Sequence, residues 1–361
     1  MKILIACTQY PYHGGAATNS YALIKALRRR GHTVCGIFFE NSKVNCDPDS
    51  IGGIIKSSSS KFSANSLRSK IKRYFGGVPD IMLSKNYVAP IYCKKLFPRI
   101  KNIYLVSGSP LMRPLSAGNI SAVRYLSAGP GKYKIATNKS TASAEKTALR
   151  QSDGVLLNSK ISKLIFSKTH PNPPRCKISD PINTSIIVNK NCKINRKEFG
   201  KRDIDIAFIC SNFSRTVKNA NFAKKIFKQD RIRGRRKLVV GQGFARFEGI
   251  PNMTVKNKTV NENIIKYLGR TKLVICTSYF DASPNIINEA ISSGCNILVS
   301  KNCGWSEEYS ERSVCNDVYN TNEWINKISY LCDNNISYNN LCTKKEVLDK
   351  LEKFIRKVKR A

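Results

Sequence analysis

Between Leu273 and Val299 the chain passes through a short apolar run, a polar loop, an amphipathic segment and a second short apolar run, and this succession restricts the fold more than any other stretch. Leu273 to Cys276 has the length of a buried strand, and so does Asn296 to Val299. The segment between them is long enough for a crossover helix, which Gly294 closes, so the two strands must run parallel. Asp281 falls in the loop after the first strand, and Glu289 falls in the helix, eight positions later, beyond the turn Ser283-Pro284-Asn285. One carboxylate is thus expected at the mouth of a parallel sheet and the other in the helix that starts there. Open α/β sheets bind ligands at the carboxyl ends of their strands, where helix N-termini favour anions. A phosphate-bearing ligand whose hydroxyls are gripped by carboxylates suits that arrangement.

The same alternation runs through the rest of the chain. Lys2 to Ala6 reads as a strand, a glycine-containing loop follows, and Ala17, Tyr21, Ile24 and Leu27 mark one face of a helix. Arg28, Arg29 and Arg30 complement the dipole at its end, Gly31 stops it, and Val34 to Phe39 reads as the second strand. Asp80 to Ser84, Ile103 to Ser107 and Gly154 to Asn158 follow as strands, the last of them closing the first half. Glu145 to Gln151 is helical, and Pro171, Pro173, Pro174 and Pro181 mark a stiff connector. A second series begins at Ile204 to Ile209 and continues at Lys237 to Val240 before reaching the Asp281 segment. The expected class is α/β, with two parallel-sheet domains, residues 1–185 and 186–343. A terminal basic helix, 344–361, carries Val347, Leu348, Leu351, Phe354, Ile355 and Val358 on one stripe and is placed as packing back on the first domain. A chain of 361 residues can bury two such cores.

Composition narrows the chemistry. The 13 cysteines are scattered without C-x-x-C pairing, and several fall in buried strands, where free cysteine is a small hydrophobe. That points to a reducing, cytoplasmic setting and to no disulfide framework. With only three histidines as well, no metal centre is expected. The N-terminal apolar run is too short for a secretory or membrane segment. Sixty-two Lys and Arg against 24 Asp and Glu give a net charge of +38, a field that favours polyanions. The cations are spread along the chain, however, and no zinc-finger spacing, RNP motif or basic arm is present, so nucleic acid is not the expected partner. The segment Leu67 to Phe75 sets Leu67 and Ile71 among Arg68, Lys70, Lys72 and Arg73. Such a helix can lie on an anionic membrane or pack on its own domain, and peripheral membrane contact is one expectation.

The Gly14-Gly15 loop and its helix, the Arg30-Gly31-His32 turn, the Asp153 to Ser159 strand and the Asp281 to Glu289 block resemble, in order and spacing, retaining GT-B glycosyltransferases of the large glycosyltransferase family four. The resemblance spans residues 1 to about 309 and implies two Rossmann-like domains with parallel sheets facing a central cleft. It implies a nucleotide-diphosphate sugar as co-substrate, held mainly by the second domain, and a glycan, lipid or small-molecule acceptor, with no cofactor. The family motif has glutamate at both ends; here the first is Asp281, one methylene shorter. By the resemblance Glu289 bonds the ribose hydroxyls, Asp281 contacts hydroxyls of the donor sugar, and backbone amides around Ser283, Pro284 and Asn285 meet the diphosphate and sugar. A basic pair after the first strand of the second domain corresponds to Arg215 and Lys218, and fixed cations there stabilise a departing diphosphate. Gly14 and Gly15 allow close backbone approach, whereas the G-x-G-x-x-G spacing of a dinucleotide site is absent.

Many members carry a histidine where this chain has Ser107, Gly108 and Ser109, and His13, His32 and His170 are poor substitutes. The implied reaction is same-face attack with retention, the leaving phosphate accepting the proton of the acceptor, without a metal. Two other readings stay open at this point: a catalytically silent nucleotide-sugar-binding protein and a basic nucleic-acid-binding protein.

Overall fold

The computed structural model describes residues 1–7, 15–38, 54–56, 64–106, 139–188, 197–257, 259, 261–338 and 342–361. They divide into two compact units, the first drawn from 1–111, 137–188 and 342–361 and the second from the described residues of 189–341. In the first unit the elements are β1 (Lys2–Cys7), α1 (Gly15–Arg29), β2 (Thr33–Phe38), β3 (Ile54–Lys56), α2 (Ala64–Phe75), β4 (Ile81–Lys85), α3 (Ala89–Leu96), β5 (Asn102–Leu105), α4 (Lys139–Arg150), β6 (Gly154–Leu156), α5 (Lys160–Thr169) and β7 (Lys177–Ile178). The second unit contains β8 (Ile204–Asn212), α6 (Ala220–Phe227), β9 (Lys237–Gln242), β10 (Met253–Lys256), α7 (Asn261–Leu268), β11 (Thr271–Cys276), α8 (Asn285–Ser292), β12 (Asn296–Ser300), β13 (Val314–Cys315) and α9 (Thr321–Asp333). The last helix, α10 (Lys344–Lys359), belongs to the first unit.

Both sheets are parallel throughout. The first has the order β3-β2-β1-β4-β5-β6-β7 and the second β10-β9-β8-β11-β12-β13. Counted within its own unit, each contains the doubly wound series 3-2-1-4-5-6, which reverses direction between β1 and β4 and between β8 and β11.

The cores follow strand alternation. Ile3, Ile5, Leu83, Ile103 and Leu156 face α1 and α10, whose Leu23, Leu27, Val347, Leu351 and Ile355 cover them. Leu4, Ala6 and Met82 face the other way, against Leu67, Ile71 and Phe75 of α2 and Cys93 and Leu96 of α3. The apolar stripe of α2 is therefore consumed by its own sheet, which removes the basis for laying it into a membrane. No described helix is long and apolar enough to cross one. Helix α10 begins with a reciprocal capping box between Thr343 and Glu346 and sits close against β6, where a Cβ on Gly154 would lie 2.8 Å from Val358 Cγ2. In the second unit Ile206, Phe208, Val239 and Ile275 pack on α6 and α9, and Ala207, Leu238, Val274 and Ile297 pack on α7 and α8.

Four short strands, β3, β7, β10 and β13, go beyond the sequence reading. Gly154 to Asn158 is consequently not the last strand of its half, because Lys177 and Ile178, inside the proline-rich connector, pair with β6. Segments of two to four residues are too brief to show an alternation of period two. Two histidines are structural. His32 Nε2 lies 3.2 Å from Glu352 Oε1, and His170 caps α5 and lies 3.3 Å from the buried Glu145. His13 falls outside the described residues.

Candidate functional site

The carboxyl ends of β8 and β11, on either side of the reversal in the second sheet, carry the residues singled out from the sequence. β8 ends in an irregularity between Ile209 and Asn212, and β9 follows it closely. A Cβ on Gly241 of β9 would stand 2.1 Å from the Cys210 carbonyl oxygen, so only glycine lets the strands approach there. The chain then enters a short 3-10 turn, Thr216–Lys218, with Arg215 as its N-cap, and Asn219 in a left-handed conformation (φ 51°) starts α6.

The loop after β11 is fastened to that turn. Thr277 Oγ1 donates to the Lys218 carbonyl at 3.0 Å, and the Tyr279 amide donates to the Val217 carbonyl at 2.9 Å. From the other side, Gly304 N–H donates to the Asp281 carbonyl at 2.7 Å. These bonds bring together two residues 63 positions apart: Lys218 Nζ lies 2.6 Å from Asp281 Oδ2. The pair is largely enclosed, with side-chain exposures of 15% and 21%. Burial alone would lower the Lys218 pKa; the Asp281 carboxylate, aided by Cys276, outweighs it and holds the ammonium well above the ordinary lysine range. Arg215 is exposed and pairs with no carboxylate among the described residues.

Beyond Asp281 the chain turns into α8. Asp281 Oδ1 accepts from the Ser283 amide at 3.3 Å, so that N–H is already engaged, and buried Pro284, the N-cap of α8, has none to offer. Asn285 opens the helix, and Glu289 lies one turn further along it. Glu289 is mostly enclosed by protein, yet no described residue donates to its carboxylate or pairs with it. Burial pushes its pKa up to about 7. Asn219 Nδ2, next in sequence to Lys218, is likewise a buried hydrogen-bond donor without a described partner. The site therefore offers two cations, an anchored carboxylate, a second carboxylate with no counter-charge among the described residues, and the start of α8. It is built for a ligand with both anionic and hydroxyl groups.

Sequence reasoning missed one part of this site. Cys276 and Cys303, both buried, place their sulfurs 3.8 Å apart within electrostatic reach of the ion pair, and the Cys303 thiol and then Lys218 draw Cys276 towards the thiolate. Nothing in the spacing of these two cysteines announces the contact. The Asp-x-Asp spacing at Asp203 and Asp205 lies at the opposite, amino end of β8. There Arg270 and Lys197 hold Asp203, and Arg236 and Lys272 hold Asp205. Asp47 and Asp49, spaced the same way, lie outside the described residues, as does Gly14; Gly15 is the first residue of α1.

Solved structures with the same architecture extend over the whole chain. The sucrose-phosphate synthase from Thermosynechococcus elongatus superposes with a TM-score of 0.71 at 13% identity, covering 99% of each chain. A lipopolysaccharide outer core galactosyltransferase gives 0.66 at 13% identity, again over 99% of each. The fold is that of the GT-B glycosyltransferases. A third GT-B structure, an α-glucosyltransferase solved with UDP and a 13-mer DNA, gives 0.62 at 12% identity over 99% of each chain. No protein-family model matches this sequence, and no curated protein does. The GT-B likeness thus rests on backbone architecture, and within it the second unit sets Lys218, Asp281 and Glu289 around one switch point.

Proposed function

We propose that the protein is a glycosyltransferase that moves a sugar from a nucleotide-diphosphate donor to an acceptor hydroxyl, with retention at the anomeric carbon and without a metal. The observation that carries this reading is the switch-point arrangement of the second unit: the Lys218–Asp281 contact of 2.6 Å and, on the helix that follows, a half-buried Glu289 without a described partner. A carboxylate held away from water without a counter-charge is unfavourable for the fold and is explained by a ligand that donates hydrogen bonds to it. Ribose hydroxyls are such donors.

In this reading Lys218 and Arg215 lie along the diphosphate. As the bond from the anomeric carbon to the phosphate oxygen breaks, negative charge grows on the leaving group, and the two cations stabilise it without rearranging. The Asp281 carboxylate, held by Lys218 and Ser283 N–H while Gly304 N–H fixes its backbone carbonyl, presents its remaining acceptor capacity to the sugar hydroxyls. The departing phosphate takes the proton of the attacking hydroxyl on the same face, so the protein acts by positioning and by fixed charge. The GT-B fold and the UDP bound in the α-glucosyltransferase support a uridine nucleotide as the first donor to try.

The test is a thermal-shift panel of UDP-, GDP- and other nucleotide sugars, followed by release of nucleoside diphosphate in the presence and absence of a chelator. A selective rise in melting temperature identifies the donor, since stabilisation grows with ligand concentration over Kd. No shift with any nucleotide sugar defeats the reading. Loss of turnover on chelation, restored by a divalent ion, defeats metal independence alone.

A further inference from the structure

The first sheet also has a reversal point, between β1 and β4, and a lysine stands on it. Lys85 is the last residue of β4, in register with Cys7 at the end of β1 and with Leu105 at the end of β5, so it occupies the final rung of the three central strands at their carboxyl ends. Its side chain is only 6% exposed. Alternation along β4 sets Lys85 on the face of Ile81 and Leu83, the face covered by α1 and α10. The neighbouring strand ends are the buried Cys7 and Leu105, and no carboxylate among the described residues lies within ion-pair distance of Lys85. Burial pushes the ammonium down to about 8, with the Cys7 thiol opposing.

A buried ammonium without a counter-ion destabilises a fold, and structural lysines avoid it in two ways that are both visible in this protein. Lys237, 2% exposed, donates to three backbone carbonyls, those of Arg233, Arg235 and Pro251, and Lys218 pairs with Asp281. Lys85 does neither within the described residues. Asn19 Oδ1 in the early part of α1, the helix that leaves β1, is likewise buried without a described hydrogen-bond donor. Carboxyl ends at a reversal point are where α/β sheets bind ligands, and a buried cation there selects a negatively charged one.

We propose that Lys85 anchors an anionic group, a phosphate or a carboxylate, on a small molecule bound by the first unit. The identification of that molecule as the sugar acceptor rests on the proposed transfer reaction; the anion site itself does not.

The experiment uses the full chain and pyridoxal phosphate, a phosphate-bearing aldehyde that forms an imine with an accessible amine, fixed by borohydride and mapped by mass spectrometry at pH 8. Lys85 is expected to be labelled at low stoichiometry ahead of the surface lysines. Glucose 6-phosphate or glucuronate should protect it, according to whether phosphate or carboxylate is preferred, and glucose should not. UDP should leave its labelling unchanged. In parallel, with UDP present to occupy the second unit, inorganic phosphate should raise the melting temperature of the native protein but not of Lys85→Met. The Lys85→Met protein, relieved of a buried charge, should itself melt at the same temperature as the native chain or about 2 °C higher. The proposal is overturned if Lys85 stays unlabelled while exposed lysines react, if glucose protects as well as the anions, or if Lys85→Met keeps the phosphate response. A Lys85→Met protein that melts several degrees lower would assign the lysine to structure instead. Donor binding by the second unit, read separately with UDP, can fail without touching any of these outcomes.

Discussion

At the reversal of the second sheet an enclosed lysine meets a carboxylate at 2.6 Å, whereas at the reversal of the first sheet Lys85 ends its strand with no described carboxylate in reach. The two sheets share a strand order, so topology does not make the difference. It comes from the loop after the fourth strand in each series. After β11 that loop is stapled to the 216–218 turn by Thr277 and Tyr279, and it carries Asp281 into contact with Lys218. After β4 the chain passes within a few residues into α3, through Asn86 in a left-handed conformation (φ 71°), and the first acid after Lys85 in the sequence is Glu145. One switch point is charge-balanced internally and keeps its cation in position for a second anion. The other has no counter-charge for its cation among the described residues.

Experiments can widen or close that gap. The largest expected effect belongs to Lys218→Ala. It removes a fixed cation from the leaving diphosphate and leaves Asp281 enclosed without its partner, so turnover should fall on the order of a hundredfold, about 3 kcal/mol. Product release under saturating donor measures it, and an equal loss from Lys70→Ala on the exposed face of α2 would show that general positive charge, not the switch point, matters.

Glu289→Gln comes next. Donor affinity by calorimetry should weaken about tenfold or more, because a charged hydrogen-bond acceptor becomes neutral. The fold should respond in the opposite direction. With its folded pKa raised to about 7 from the ordinary 4.5, Glu289 contributes stability that is fully present below about pH 4.5 and is lost as pH rises through 7. The variant should therefore melt like the native chain at low pH. Above pH 7 it should be more stable by up to about 2 kcal/mol, after allowance for solvent screening. A variant that is less stable at every pH would make Glu289 a structural residue.

The same titration predicts the pH dependence of binding. If the ionised carboxylate accepts from the ribose, donor affinity levels off above pH 7 and falls by about tenfold for each unit below it. A flat affinity between pH 5.5 and 8 would remove Glu289 from the donor site.

The smallest effect tests the scaffold of the first unit. Thr343→Ala breaks the capping box that starts α10, and denaturant unfolding should register a loss of about 1 kcal/mol with donor affinity unchanged. A matching loss of donor affinity would mean that the two units are coupled through this helix.

Taken by itself, the sequence determined the elements whose stabilising contacts are local or periodic. The β11–α8–β12 succession, the stripe on α10 and the helix after β1 were legible because burial imposes a spacing along the chain that composition cannot hide. The Asp281 and Glu289 positions were legible for the same reason, since they sit at defined steps of one crossover. Tertiary structure alone decided what each charge meets. Lys218 and Asp281 are 63 residues apart, Cys276 and Cys303 touch only because β11 and β12 are neighbours, and Leu67, Ile71 and Phe75 spend their apolar stripe on a sheet and not on a lipid surface. Lys85 carries no motif at all and becomes conspicuous only once strand register buries it. Electrostatic and packing energies depend on distance in space, which sequence separation does not report, and on desolvation, which exists only after the chain has closed around the group.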